Sequence, residues 1–127
     1  MVKHPADWAG LPRIKRVYAE FEKTDGKRIL VDRLWPRGIS KENARIDLWL
    51  KNLAPSNSLR KQFHGKEGVW GAFCAAYAGE LEGEETREAI EEIRAHLRGG
   101  KVTLLYAARD EAHNNAVALL EWLLAHP

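Results

Sequence analysis

Arg28-Ile29-Leu30-Val31-Asp32-Arg33-Leu34-Trp35-Pro36-Arg37-Gly38 is the stretch that decides the fold. Its apolar centre is nearly continuous, which is what a strand buried on both faces requires and what a half-exposed strand does not. Polar residues crowd the end of the run, where Pro36 has no N–H for a ladder and Gly38 permits the chain to reverse. A second segment of the same kind, Val102-Thr103-Leu104-Leu105-Tyr106-Ala107-Ala108, lies far along the chain. Two such strands separated by helical periodicity predict an α/β domain with a mostly parallel sheet of about four strands covered by helices.

The remaining elements follow outward from these two. Ile14, Val17 and Tyr18 suggest a first strand, and the cluster Lys23-Thr24-Asp25-Gly26 is a turn before the second. Ser40 suits the cap of a short helical turn over 41–43. Ile46, Leu48 and Leu50 alternate as in a third strand, although Ile46, Leu50 and Leu53 also fit a helical face. Pro55-Ser56 opens a helix that runs through Leu59, Arg60 and Phe63 and ends near His64 at Gly65. Between 66 and 81 the set Val69, Trp70, Phe73, Cys74, Tyr77 and Leu81 repeats at helical spacing, and 84–98 repeats likewise with Ile90, Ile93 and Leu97 inward. Early glutamates and late arginines in the latter complement the helix dipole. Asp110 is placed to cap a last helix whose Val117, Leu120, Leu123 and Leu124 face the core. Trp49, Trp70 and Trp122 read as core residues, and Cys74 as an inert buried thiol. The folded core is expected over 12–125, with 1–11 as an N-terminal extension.

A chain of 127 residues has room for one domain and an ordinary core. With Cys74 as the only cysteine, intramolecular disulfides and multi-cysteine zinc sites are excluded. The start of the chain lacks the apolar run of a signal peptide and no stretch has the length of a membrane span, so the expectation is a cytoplasmic protein with no membrane partner. The net charge of +2 conceals an asymmetry. Residues 1–75 hold 15 basic and 8 acidic side chains, against 5 and 10 in residues 76–127. The basic half invites an anionic partner, and the acidic half reads as one solvated helix surface. No dinucleotide, P-loop or nucleophile-elbow motif is present, and the sequence names no cofactor.

Ligands of open α/β sheets bind outside the carboxyl ends of the strands. Asp32, Arg33, Trp35 and Arg37 fall at one such end, and Tyr106, Arg109 and Asp110 at another. Two guanidinium groups close together suit a carboxylate or phosphate, whose oxygens take parallel bonds from the planar fork. Their plain structural reading is an ion pair with a nearby carboxylate. Ser56, with Arg60 one turn on, offers a hydroxyl and free amides at a helix start, as an anion cradle or an ordinary cap. Lys51 adds charge nearby. His64 and His113 titrate near neutrality and suit general acid or base work, with Asp32 or Asp110 as partner. Asp110, His113 and Asn114 share a helix start, but this is a weak metal signature without a second ligand pair, and no metal is assigned.

The string from Arg28 to Gly38, together with Trp49-Leu50-Lys51, Ala54-Pro55-Ser56, Leu59-Arg60, Phe63-His64, Leu104 to Asp110 and His113-Asn114, resembles the YeaO-like family of small bacterial proteins. The likeness runs from Ile14 through nearly the whole chain. That family is built on a domain of unknown function, so the resemblance implies no agreed activity. It does imply that Arg33, Arg37 and His113 face a shared site. Longer relatives carry a cysteine where this chain has Tyr106, and a Cys-His-Arg triplet where it has Asn114-Asn115-Ala116, so their thiol or metal chemistry is not carried over.

The leading expectation is a domain that binds a small anionic, phosphate-bearing ligand among Arg33, Trp35, Arg37, Lys51, Ser56, Arg60, His64 and Asn114. Turnover, if the chain is an enzyme, falls to Asp32, Tyr106, Asp110 and His113, with Tyr106 donating to an oxyanion. The alternatives are a nucleic-acid module that contacts phosphates through the basic half, and a non-catalytic protein-interaction domain that uses the acidic helix. Oligomeric state is not legible.

Overall fold

A computed structural model describes residues 4–127; Met1, Val2 and Lys3 of the N-terminal extension lie outside the described residues. Four strands form one sheet in the order β1-β4-β2-β3, where β1 is Arg13–Arg16, β2 Lys27–Leu30, β3 Leu48–Trp49 and β4 Val102–Tyr106. All three pairings are parallel, with Ile14 opposite Leu104, Ile29 opposite Leu104 and Leu30 opposite Trp49. The expected α/β sheet is therefore present as a single domain. Both long apolar runs occupy its centre, and every residue of β4 is buried.

The helices divide unequally between the two faces. Asn57–Phe63 (α2), Trp70–Leu81 (α3), Arg87–Gly99 (α4) and Asn115–Ala125 (α5) bury Leu59, Tyr77, Leu81, Ile93, Leu97, Leu119 and Leu123 against Ile29, Val31, Leu104 and Tyr106. The opposite face carries Leu30, Leu105 and Val17, covered by Ala44 of the one-turn helix α1 (Lys41–Ala44) and by Trp35, Ile39, Ile46 and Trp49. Ser40 caps α1 as expected, accepting the Asn43 N–H at 3.1 Å. No helix among the described residues is long and apolar enough to cross a membrane.

Several boundaries depart from expectation for physical reasons. The second strand ends at Leu30 rather than Leu34. Val31 still donates to Leu105, but Leu34 is 64% exposed because the chain has turned out of the sheet. Likewise β4 ends at Tyr106, since the Ala107 N–H goes to the Asp32 carboxylate instead of a neighbouring strand. The third strand is only two residues long, after which Lys51–Leu53 form a 3₁₀ turn, so both readings of that stretch hold in part. Residues 66–69 precede α3, with Gly68 at φ +69° just before the Val69 cap. The buried face of α5 is Ala116, Ala118, Leu119 and Leu123, while Val117, Leu120 and Leu124 are only partly covered. Trp49, Trp70 and Trp122 are half-buried at the margins of the core. The fully buried tryptophan is Trp8, from the stretch expected to lie outside the core, and the adjacent Ala9 N–H is bonded to the Leu97 carbonyl at 2.9 Å.

At the amino ends of the strands, Asp25 is buried among three cations: Arg28 at 2.5 Å, Lys15 at 3.0 Å and Arg13 at 3.1 Å. Arg28 is itself buried and donates to the carbonyls of Ala44 and Arg45, which ties β2 to α1. The following Gly26, at φ +67°, passes so close to Lys101 that a Cβ would lie 2.3 Å from its carbonyl oxygen. Burial pushes the Asp25 carboxyl up, but the bonds from Lys15, the Glu22 N–H and Arg28 outweigh it and hold the group below its ordinary value. Its contribution is then complete above the ordinary carboxyl range and is lost as the pH falls through the lowered value. Replacing Asp25 by Asn should cost about 3–5 kcal/mol at neutral pH, because Arg28 is left buried without its counter-ion. Urea unfolding from neutral pH down to about pH 3 should narrow the gap between wild type and variant. A constant gap would show that the ion cluster is not the source.

Candidate functional site

The carboxyl ends of β2 and β4 lie side by side in the sheet, but the chain leaves them toward opposite faces. From β2 it runs over the Leu30 and Leu105 face to α1, and from β4 it runs to α5 on the helical face. Divergence of neighbouring connections opens a crevice at this point, as in other open α/β sheets. It has a volume of about 500 Å³, within the range of small-molecule sites. Its walls include Asp32, Arg33, Trp35 and Arg37 from the first connection, Arg60 and Phe73 from the helices, and Arg109, Asn114 and Asn115 from the second connection.

Asp32 fixes this geometry. Its carboxylate accepts the Ala107 N–H at 2.9 Å and the Asn115 Nδ2 at 2.9 Å, and its carbonyl accepts the Trp49 indole N–H at 2.7 Å. The same Asn115 amide also donates to the Val31 carbonyl at 2.9 Å. One residue thus ties together the ends of three strands and the start of α5. Burial raises the Asp32 carboxyl above its ordinary value, against the opposing effects of Asn115, Ala107 and the nearby Arg60 charge.

The arginines fall into two kinds. Arg33 is half-buried, with Nε on the Pro55 carbonyl at 3.1 Å and Nη2 on the Ala54 carbonyl at 3.0 Å, so it braces the crevice wall as well as charging it. Arg37, Arg60 and Arg109 are exposed, and among the described residues their side chains make no hydrogen bond or ion pair. The Arg37 carbonyl is held by the Tyr18 hydroxyl at 2.7 Å, which anchors that loop. Among the described residues Asp32 is the only carboxylate on the crevice wall, and its oxygens are already engaged.

Several expected site residues lie elsewhere. Tyr106 points to the helical face and is buried in the core; burial, then Glu111, raises its hydroxyl above the ordinary range. Lys51 sits at the β3 edge with Nζ 4.3 Å from the Trp49 ring centroid. Ser56 does cap α2, accepting the Leu59 N–H at 3.1 Å, but the anion it attracts is internal. Glu80 of α3 takes its hydroxyl at 2.5 Å and its N–H at 2.9 Å. Asp110 is not the cap of the last helix. It accepts the N–H groups of Ala112 and His113 in the preceding loop, and those bonds hold its carboxyl low. The cap is Asn114, whose Oδ1 accepts the Val117 N–H at 3.0 Å and whose Nδ2 reaches the Asp110 carbonyl. His64 and His113 line a second, adjoining recess with Trp70 and Asp110, which shares Arg60, Phe73 and Asn114 with the arginine crevice. Asn115 and Phe73 were not among the expected site residues, Phe73 having been read only as part of the apolar face of its helix. An asparagine directly after a capping asparagine was the one available sign of the former. Cys74 is half-buried, and burial pushes its thiol up, away from a reactive thiolate. No three His, Cys, Asp or Glu side chains converge as a metal site among the described residues.

With this geometry in place, comparison with known proteins is informative. A family model described as the inactive DUF488-N3 subclade matches residues 12–126. The chain belongs to that family. It is 43% identical over 110 residues to the uncharacterized protein YeaO of Escherichia coli K12, covering 86% of this chain and 93% of that one. It is 36% identical over 111 residues to the uncharacterized proteins Mb3100c of Mycobacterium bovis and Rv3073c of Mycobacterium tuberculosis, with 87% and 92% coverage. No solved structure matches. The YeaO-like resemblance stated from the motifs, which ran from Ile14 onward, therefore holds within residues 12–126.

The clasp is open to a direct test. In an Asp32→Asn chain the new amide must present its N–H₂ to one of the two donors that the carboxylate now satisfies. This should destabilise the chain by about 1–3 kcal/mol at neutral pH. In a double-mutant cycle with Asn115→Ala the two losses should be less than additive, since both remove the same bond. Full additivity in chemical denaturation would mean that the two residues act independently.

Proposed function

We propose that this chain binds a small anionic ligand, phosphate-bearing in the first instance, in the crevice at the carboxyl ends of β2 and β4, and that it binds without turning the ligand over. The observation that carries the reading is the contrast among its cations. Arg13, Lys15 and Arg28 are spent on Asp25, and Arg16 is spent on the carbonyls of Ala107 and Ala108. Arg37, Arg60 and Arg109 come from three separate segments, line one crevice and have no internal partner among the described residues. Three arginines that line one crevice with a single carboxylate, Asp32, leave positive charge in excess there, and a bound anion relieves that excess while gaining charge-assisted hydrogen bonds.

Binding rather than catalysis is supported by three features. The two histidines line the adjoining recess, Tyr106 is sealed in the core, and both Asp32 oxygens are engaged in the scaffold. The description of the family as an inactive subclade agrees with this. A nucleic-acid surface is less well supported, because Arg13, Lys15 and Arg28 are gathered on Asp25 and Glu22 rather than arrayed as a free stripe.

Isothermal titration with inorganic phosphate, ribose 5-phosphate and citrate tests the proposal. At least one should bind, and Arg37→Ala and Arg60→Ala should each weaken it about 10- to 100-fold, the worth of a charge-assisted hydrogen bond, with little change in Tm. Equal affinity in wild type and both variants, or no binding at millimolar concentration, would overturn it.

A further inference from the structure

We infer that the anion of the arginine crevice is one end of a ligand whose other end is a flat aromatic ring, and that the ring's seat is the adjoining recess. This inference rests on the anion-binding reading. The recess has a volume of about 330 Å³ and meets the crevice along a common wall formed by Arg60, Phe73 and Asn114. Arg60 lines both cavities, so a ligand that holds its anion on Arg60 lies beside the recess.

The recess is built from rings. Phe73 stacks on Trp70 with centroids 5.6 Å apart and planes 19° from parallel, and Phe63 meets Phe73 edge-on at 5.8 Å. On Trp70 lies the His113 imidazole, 4.9 Å away and tilted by 42°, which leaves the two planes diverging. His113 is the outermost ring of this series, and its side chain is 56% exposed. The backbone beneath it is fixed, because Asp110 accepts the His113 N–H at 3.0 Å. Phe63, Trp70 and Phe73 pack against the core at its edge and stay half-buried, each keeping part of its ring uncovered. Half-covered rings beside an unpaired arginine form the pairing that recognises nucleotides, with stacking for the planar base and a guanidinium for the phosphate. Lys66 adds a further cation at the rim, and the only carboxylate there among the described residues, Asp110, already accepts the N–H groups of Ala112 and His113. The chemical class is thus a nucleoside monophosphate or another aryl-bearing phosphate ester, not a bare sugar phosphate.

The test compares adenosine 5′-monophosphate with ribose 5-phosphate by titration into the full chain. The nucleotide should bind about tenfold or more tightly than the sugar phosphate, the usual worth of one stacked base. Trp70→Leu and His113→Ala should each reduce that advantage several-fold and leave ribose 5-phosphate binding unchanged, whereas Arg60→Ala should weaken both ligands. His113 is exposed, so its variant keeps the test valid even if Trp70→Leu fails to fold. Equal affinity for the two ligands, or an advantage that survives both ring variants, overturns the ring seat and leaves the arginine crevice standing. If neither ligand binds, the crevice reading falls first and the inference with it.

Discussion

Asp32 is the residue on which the working end of this fold depends. A parallel sheet gives no local means of holding adjacent strand ends together once their ladders stop, because each chain then departs toward a different layer. Here a single carboxylate receives the first free N–H beyond β4 and an amide from the start of α5, while its own carbonyl takes an indole N–H from β3. The crevice between the diverging connections therefore has a rigid floor. Buried groups held in this way set the position of everything mounted on them, and the mounted residues are arginines.

A second aspartate does the opposite task at the other end of β2. Asp25 gathers three cations, with Arg28 buried beside it and Lys15 and Arg13 toward the surface, so the cations at the amino ends of the strands are held on an internal carboxylate. The carboxyl ends are electrostatically open, since the carboxylate there is consumed by neutral donors and leaves the neighbouring guanidinium groups unmatched. This polarity follows from which partner each aspartate takes, and that depends on tertiary position alone.

The sheet, its parallel sense and the position of the crevice were legible in the two long apolar runs and in the polar string that ends the first. The cap residues Ser40 and Ser56 were legible because capping is local. What failed had non-local causes. Tyr106 lies on a strand that is apolar on both faces, so alternation carries no information about which face it takes. Asp110 and Asn114 are both good caps four residues apart, and only the fold determines that Asn114 starts the helix while Asp110 shapes the loop. Ser56 looked ready for an external anion, yet Glu80, 24 residues away, supplies an internal one. Lys51 was expected beside the arginines on charge alone, but a two-residue edge strand turns it onto Trp49. The family was readable from motifs between Arg28 and Asn114, which lie within the residues 12–126 that the family model covers.

Arg37, Arg60 and Arg109 line one crevice at the carboxyl ends of the strands, and the central claim is that they take an anion there. Side-chain Nε–Hε resonances of the arginines report this directly during titration with inorganic phosphate. The account predicts that Arg37, Arg60 and Arg109 shift in a saturable manner while Arg13, Arg16 and Arg28 stay in place. Shifts spread evenly over all the arginines, or centred on Arg13 and Arg16, would contradict it.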